Sequence, residues 1–299
     1  MVSNTVIQWK NKIFMTDIYS GMKTVRQVAT LLCMLFLALT ACSHNPTEAS
    51  KDWPVYLGGN SSNQYSPLDE VNLENVKHLK PAWEFHSGDD VSGNDTQIQC
   101  NPLIIDGILY GTSPTLKVFA LDAATGRKLW MFDPHPDVNF AMNVNRGVAY
   151  WSDNNDRRIL FTAGPDLYAL DAGTGIPVTA FGDSGHVSLK EGLGEKAADM
   201  YVVATSPGIV YKDLLILGSR VSENTGAAPG FIRAFNTRDG HLEWVFHTIP
   251  RPGEYGYDTW PDSAYKTAGG ANAWSGMSLD ADRGIVFVPT GSAAFDFWG

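Results

Sequence analysis

The phrase ALDAATGRKLW fills residues 120–130, returns as ALDAGTGIPVT at 169–179, and returns again as AFNTRDGHLEW at 234–244. Before each copy stand short β-branched or aromatic runs broken by turn signals. These are PLIIDGILYGT (102–112) with LKVFALD, then RRILFTAGPDLYALD (157–171), then SPGIVYKDLLILGS (206–219) with GFIRAFN (230–236). Each unit therefore reads strand, turn, strand, D-x-x-T/D-G turn, strand. In such a turn the Asp and Thr side chains satisfy backbone groups, and Gly126 permits positive φ. One unit cannot bury both of its faces, so the units must stack around an axis. The copies start 49 and 65 residues apart, which is blade-sized with insertions. Trp130 and Trp244, closing two copies, are expected to wedge between neighbouring blades. The phrase is structural and carries no catalysis.

Composition supports an all-β fold. The chain has 299 residues, 44% hydrophobic and 18% charged, enough to bury a sizeable core. Its 29 glycines and 16 prolines punctuate short runs, and helix-forming stretches are scarce after the first fifty residues. The net charge of −10 argues against a nucleic-acid partner, because phosphate binding needs clustered Lys and Arg.

The N-terminus reads as an address. Lys23 and Arg26 precede an apolar run, VATLLCMLFLAL (28–39), then Thr40, Ala41 and Cys42. A basic segment, a short apolar run and small residues describe a secretory signal over 1–41, with Met22 an alternative start. The run is shorter than the ~20 residues a membrane span needs. Leu39-Thr40-Ala41-Cys42 resembles a bacterial lipobox, which makes Cys42 the lipidation site and 43–52 a linker. Ser43 after the cysteine points to the outer membrane, facing the periplasm. Residues 1–41 carry four cations and one carboxylate, so their removal takes −10 to −13. Cys33 leaves with the signal, and Cys100 remains as a small buried residue with no disulfide partner.

The A-x-D-x-x-T-G-x-x-x-W phrase resembles the tryptophan-docking motif of quinoprotein propellers, which bind pyrroloquinoline quinone (PQQ). Further segments extend the resemblance over 53–299: WPVYLGGNSSNQYSPLDEVNLENVKHLKPAWEFHSGD (53–89), VNRGVAYW (144–151), TSPGIVYKDLLILGSRVSEN (205–224) and GGANAWSGMSLDADRGIVFVPTGSAAFDFWG (269–299). Together they look like the N-terminal half of a membrane-associated, PQQ-dependent glucose or polyol dehydrogenase. The fold implied is an eight-bladed β-propeller, of which this chain supplies roughly the first half.

The resemblance assigns roles residue by residue. PQQ is a planar ortho-quinone with three carboxylates, so its site needs a flat apolar floor, cations and a hard metal. Trp274 in NAWSG matches the tryptophan stacked under the ring; by itself it could be one more packing tryptophan among nine. Arg146 in VNRGV matches the arginine on the quinone oxygens, a fitting use of a permanently charged fork; a structural arginine is the alternative. Glu223, with Asn224 beside it, matches the carboxylate supplied to Ca²⁺, which takes several oxygen ligands; in isolation SEN reads as a solvated turn. Ser292 stands where alcohol-oxidising relatives carry an asparagine ligand. Gln99 stands where many relatives have a glutamate contacting PQQ, and Thr205 lies in another cofactor-contacting segment.

The chemistry implied is oxidation of a sugar or polyol hydroxyl. Calcium acts as a Lewis acid, a carboxylate acts as base, and electrons pass to a membrane quinone or cytochrome. The family's aspartate base is expected beyond Gly299. Departures leave the substrate open: Phe140-Ala141 replaces a vicinal disulfide, and Met142 stands near where glucose-type relatives place a histidine. No C-x-x-C-H occurs, so a haem within the chain is unsupported. The competing reading is a non-enzymatic, lipid-anchored propeller that serves as an outer-membrane assembly scaffold. About four to five blades are expected from the repeat spacing. The lone chain is expected to be a poorly soluble, inactive fragment of a product roughly twice its length.

Overall fold

A computed structural model describes residues 52–89, 96–135 and 144–295. The signal region, Cys42, Phe140-Ala141 and Met142 lie outside those residues.

Three four-stranded antiparallel meanders follow one another. The first is β1 (Leu103–Ile105), β2 (Ile108–Thr112), β3 (Val118–Asp122) and β4 (Lys128–Phe132). The second is β5 (Ala149–Asp153), β6 (Asp156–Ala163), β7 (Asp166–Asp171) and β8 (His186–Ser188). The third joins β10 (Ile209–Tyr211), β11 (Leu214–Leu217), β13 (Ile232–Asn236) and β14 (Leu242–Phe246). A small pair, β9 (Val202–Val203) with β12 (Arg220–Val221), stands beside the third sheet, and β15 (Ser278–Asp280) with β16 (Ile285–Phe287) follows it.

The hairpins explain the meander. Asp106 and Gly107 both take positive φ (51° and 76°), the conformation a two-residue hairpin turn requires, and they set Ile105 opposite Ile108. The repeated phrase also repeats its local geometry. Asp122 Oδ1 accepts from the Thr125 N–H at 2.9 Å and its hydroxyl at 2.7 Å, and Asp171 does the same for Thr174 at 2.8 and 2.7 Å. A register shift falls at Ala120/Leu121 between β3 and β4, and at the matching Ala234/Phe235 between β13 and β14.

Sheets pack face to face, so the middle strands are buried on both sides. In β6, Ile159 and Phe161 face the first sheet while Leu160 faces the third, the period of two expected of a strand. The first strands of successive units adjoin, since β10 packs on both β5 and β15. An N-terminal arm then crosses between units. Trp53 exchanges backbone bonds with Ile104 at 2.7 and 3.1 Å, while Asn60 accepts from Leu279 N–H at 2.7 Å.

Among the described residues there are three four-stranded sheets and two two-stranded pairs, fewer four-stranded sheets than the four to five blades expected from spacing. The reason is excursion length. The arm before β1, the loop between β8 and β10 and the loop between β14 and β15 absorb chain without adding sheet strands to these meanders. Trp130 does fill a seam and is 9% exposed, but Trp244 is 37% exposed because no further docking turn faces it among the described residues.

Candidate functional site

Each sheet begins with a lead-in segment at the same end of its first strand. Arg146 lies three residues before β5, Thr205 four before β10 and Trp274 four before β15. Backbone bonds lace these segments: Asn101 N–H donates to Arg146 O and Arg146 N–H to Thr205 O, both at 2.9 Å. The Ser206 hydroxyl then donates to Trp274 O at 2.7 Å. Stacking the sheets therefore gathers residues far apart in sequence into one belt.

The belt frames a cleft of about 290 Å³, lined by Arg146, Thr205, Arg220, Ser222, Glu223, Asn272, Trp274 and Ser292 among others. That volume sits at the small end for ligand sites, ~300–1,000 Å³. Trp274 is 51% exposed. Its ring lies under the Arg146 guanidinium, 5.4 Å from carbon to centroid. Arg146 Nη1 donates to Thr205 Oγ1 at 2.9 Å, which aims the fork. Behind it, buried Asn145 accepts from Gly147 N–H at 2.8 Å and donates to Thr162 O at 2.9 Å, locking the loop that carries the arginine.

Glu223 and Arg220 arrive on the β11–β13 excursion. β12 pairs with β9 through Arg220↔Val203 and Val221↔Val202, and alternation sends Val221 into the core at 3% exposure while Arg220 and Ser222 line the cleft. Glu223 and Arg220 make no ion pair with each other or with any other described residue. Asn272 and Trp274 share the opposite wall, and Asn272 Nδ2 donates to Ser219 O at 2.9 Å, tying the two walls together.

Of the residues singled out from sequence, Arg146, Thr205, Glu223, Trp274 and Ser292 line this one cleft. Asn224 does not; it sits in the exposed turn after Glu223, its N–H bonded to the Ser222 hydroxyl at 3.2 Å. Gln99 does not either, and its amide reaches Gln97 at 3.1 Å. Cys100 is a free, half-buried cysteine whose Sγ accepts from Thr112 N–H at 3.2 Å, and burial pushes its thiol pKa up. Arg220, Ser206, Asn145, Asn272 and Tyr56 were not singled out. The Tyr56 ring packs on Gly276, and burial raises its phenol pKa although nearby Arg146 and Ser206 pull it down. Alternation in R-V-S and N-A-W was the available signal, and it has meaning only once the strand pairing is known.

The site suits a flat, anionic, aromatic ligand: an exposed indole face for a floor, two guanidiniums at the walls, and a carboxylate near one of them. Calcium fits less completely. No cluster of three or more His, Cys, Asp or Glu occurs among the described residues, so Glu223 with nearby hydroxyls supplies only part of the six to eight oxygens calcium takes.

A propeller of docked four-stranded units with a cleft lined by two arginines and a tryptophan at the ends of its inner strands is the class that fold and site define. Residues 53–299 match the family model "PQQ: Glucose/ethanol/alcohol dehydrogenase, beta-propeller domain", and the chain belongs to that family. It is 30% identical over 282 residues to quinate/shikimate dehydrogenase (quinone) of Acinetobacter baylyi, and 33% identical over 285 residues to quinoprotein glucose dehydrogenase A of Acinetobacter calcoaceticus. Each alignment covers 85% of this chain and 34% of the relative. The quinohemoprotein alcohol dehydrogenase of Comamonas testosteroni superposes with a TM-score of 0.66 at 27% identity, over 83% of this chain and 37% of that one. The chain thus spans about a third of the length of the curated relatives it matches.

Proposed function

We propose that this chain carries the cofactor-binding face of a PQQ- and calcium-dependent dehydrogenase that oxidises a sugar or polyol hydroxyl. The observation that carries the reading is the half-exposed Trp274 ring beneath the Arg146 guanidinium, inside a cleft that also holds Arg220 and Glu223. When bound, PQQ would supply a two-electron acceptor for the substrate hydroxyl carbon, and calcium, held in part by Glu223, would supply a Lewis acid.

The chain's own residues bind and orient. Trp274 offers a planar apolar floor, and the Ser206 bond to its carbonyl fixes the height of that floor. Arg146, aimed by Thr205, would hold the quinone oxygens, and its fixed cation would stabilise negative charge there. Glu223 brings a carboxylate for calcium, joined by the Ser292 hydroxyl on the facing wall. Asn224 and Gln99 act in this reading through their loops only. Electrons leave to a membrane quinone or cytochrome, and a lipid on Cys42 holds the exported protein on the periplasmic side of the outer membrane. The relatives act on quinate, glucose and alcohols by name, and this chain's substrate belongs to that range. The non-enzymatic scaffold needs neither an exposed indole nor an unpaired Arg–Glu set in one cleft.

Titrating the chain with PQQ, with and without Ca²⁺, tests the reading. A saturable, calcium-dependent quenching of tryptophan fluorescence that disappears in Trp274→Ala is the expected result. Absence of any saturable binding would sink it.

A further inference from the structure

The cleft holds two arginines in very different states. Arg146 is engaged: its Nη1 bonds Thr205 Oγ1 at 2.9 Å and its guanidinium lies over the Trp274 ring. Arg220 lines the same cleft yet has no hydrogen bond, ion pair or ring contact from its side chain to any described residue. Its position is not accidental. The β9–β12 ladder fixes the backbone through two register pairs, Val221 anchors one side in the core, and alternation puts Arg220 on the opposite, exposed side, where it lines the cleft.

We infer that Arg220 is a carboxylate anchor, the residue that binds one of the carboxylates of the tricarboxylate cofactor. The inference rests on the cofactor reading above and adds a residue to it. Charge is the first argument. Among the described lining residues, two guanidiniums and the Glu223 carboxylate leave the cleft with one net positive charge. A tricarboxylate with one divalent cation carries one net negative charge, so the two are matched. Without Arg220 the cleft would be neutral and the loaded site would keep an unmatched anion. Geometry is the second argument. Arg146 has part of its fork taken by protein oxygen, whereas the whole Arg220 fork is available for bidentate pairing with a planar carboxylate.

Equilibrium binding separates this role from structure. The wild-type chain, Arg220→Ala and Arg220→Lys are titrated with PQQ and with its trimethyl ester, which keeps the ring and lacks the anionic carboxylates. Thermal unfolding of each unliganded variant is measured alongside. Arg220→Ala should bind PQQ on the order of tenfold to a hundredfold more weakly, the value of one charge-assisted hydrogen-bonded contact. Its affinity for the ester should match that of wild type. Arg220→Lys should recover part of the PQQ affinity, because it restores the charge without the fork. Equal loss toward PQQ and ester would overturn the proposal, as would unchanged PQQ affinity in Arg220→Ala. If wild type binds neither compound, the cofactor reading falls and this inference falls with it. If wild type binds PQQ normally and only the Arg220 result fails, the cofactor reading stands alone.

Discussion

Two seams between sheets solve one problem with different chemistry. Between the first and second sheets, Trp130 lies flat on Gly175 with no room for a side chain there, and its indole N–H donates to Ala172 O at 3.0 Å. Trp83 repeats the arrangement one unit earlier, resting on Gly126 and donating to Ala123 O at 3.1 Å. Between the second and third sheets the phrase has Thr179 where the tryptophan should stand. The equivalent carbonyl, Thr237 O, accepts instead from Arg158 Nη1 at 2.9 Å, and Phe181 with Val187 covers Gly240. What is constant across the seams is a turn carbonyl that needs a donor once covered; the donor itself is exchangeable.

The substitution changes the physics of the seam. Trp130 closes by burial and one neutral hydrogen bond. Arg158 closes with charge: it pairs with Asp156 at 2.7 Å, reaches the carbonyls of Thr237 and Arg238, and lies against Trp151, which Arg238 also contacts. One seam should ignore salt and acid, and the other should feel both.

The largest effect belongs to the apolar seam. Trp130→Ala removes a ring buried between two sheets and should cost about 3–5 kcal/mol in the unfolding free energy. Denaturant titration checks it. A loss near zero would mean that the seam is held by the sheets and not by the docked ring.

Arg158→Met comes next. It keeps the stem and removes the donors for two carbonyls, so about 2 kcal/mol should be lost. The sharper measurement is salt dependence: the wild-type advantage over Arg158→Met should shrink as ionic strength rises, and the advantage over Trp130→Ala should not. Identical salt responses would erase the distinction between the seams.

A smaller effect follows from pH. Hydrogen bonds from Arg158 hold the Asp156 carboxyl below its ordinary pKa, against the opposing pull of its partial burial. A depressed folded-state pKa contributes stability that is present above the unfolded value of about 4 and is lost as pH falls through the folded-state value. Because Asp156 is 42% exposed, solvent screening keeps the contribution below about 1 kcal/mol. Amide exchange should therefore show protection around Gly240 failing in acid before protection around Gly175. Simultaneous failure would assign the seam's stability to Phe181 packing.

The sequence displayed this fold unevenly, for reasons the seams make plain. Repeats are legible because the turn chemistry of Asp122, Thr125 and Gly126 is local and recurs at Asp171, Thr174 and Gly175. Trp83 carries no such signal because it lies in irregular chain that no docking turn precedes, and Arg158 none because nothing local marks an arginine as a stand-in for tryptophan. In the cleft, Arg146, Thr205, Glu223, Trp274 and Ser292 came from resemblance, since five separate segments meet only after the sheets stack. Arg220 required knowledge of the β9–β12 register. Gln99 and Asn224 were adjacent in sequence to the right segments, yet adjacency on a turning loop does not fix direction.

The seams and the cleft finally make opposite demands on one residue type. Trp130 is 9% exposed with its indole N–H bonded, whereas Trp274 is 51% exposed and no described residue accepts from its indole N–H. The structural work at position 274 is done by the backbone carbonyl, which accepts from Ser206 at 2.7 Å and from Thr205 at 3.4 Å. Truncating the side chain leaves both bonds intact. Trp274→Ala should thus cost under about 1 kcal/mol, mostly the lost contact with the Arg146 guanidinium. It should nevertheless abolish the fluorescence quenching expected on PQQ addition and weaken PQQ binding. Paired unfolding and binding measurements on Trp274→Ala and Trp130→Ala give the decisive contrast. A stability loss at Trp274 as large as that at Trp130 would make it one more seam tryptophan, and the cleft would lose its floor.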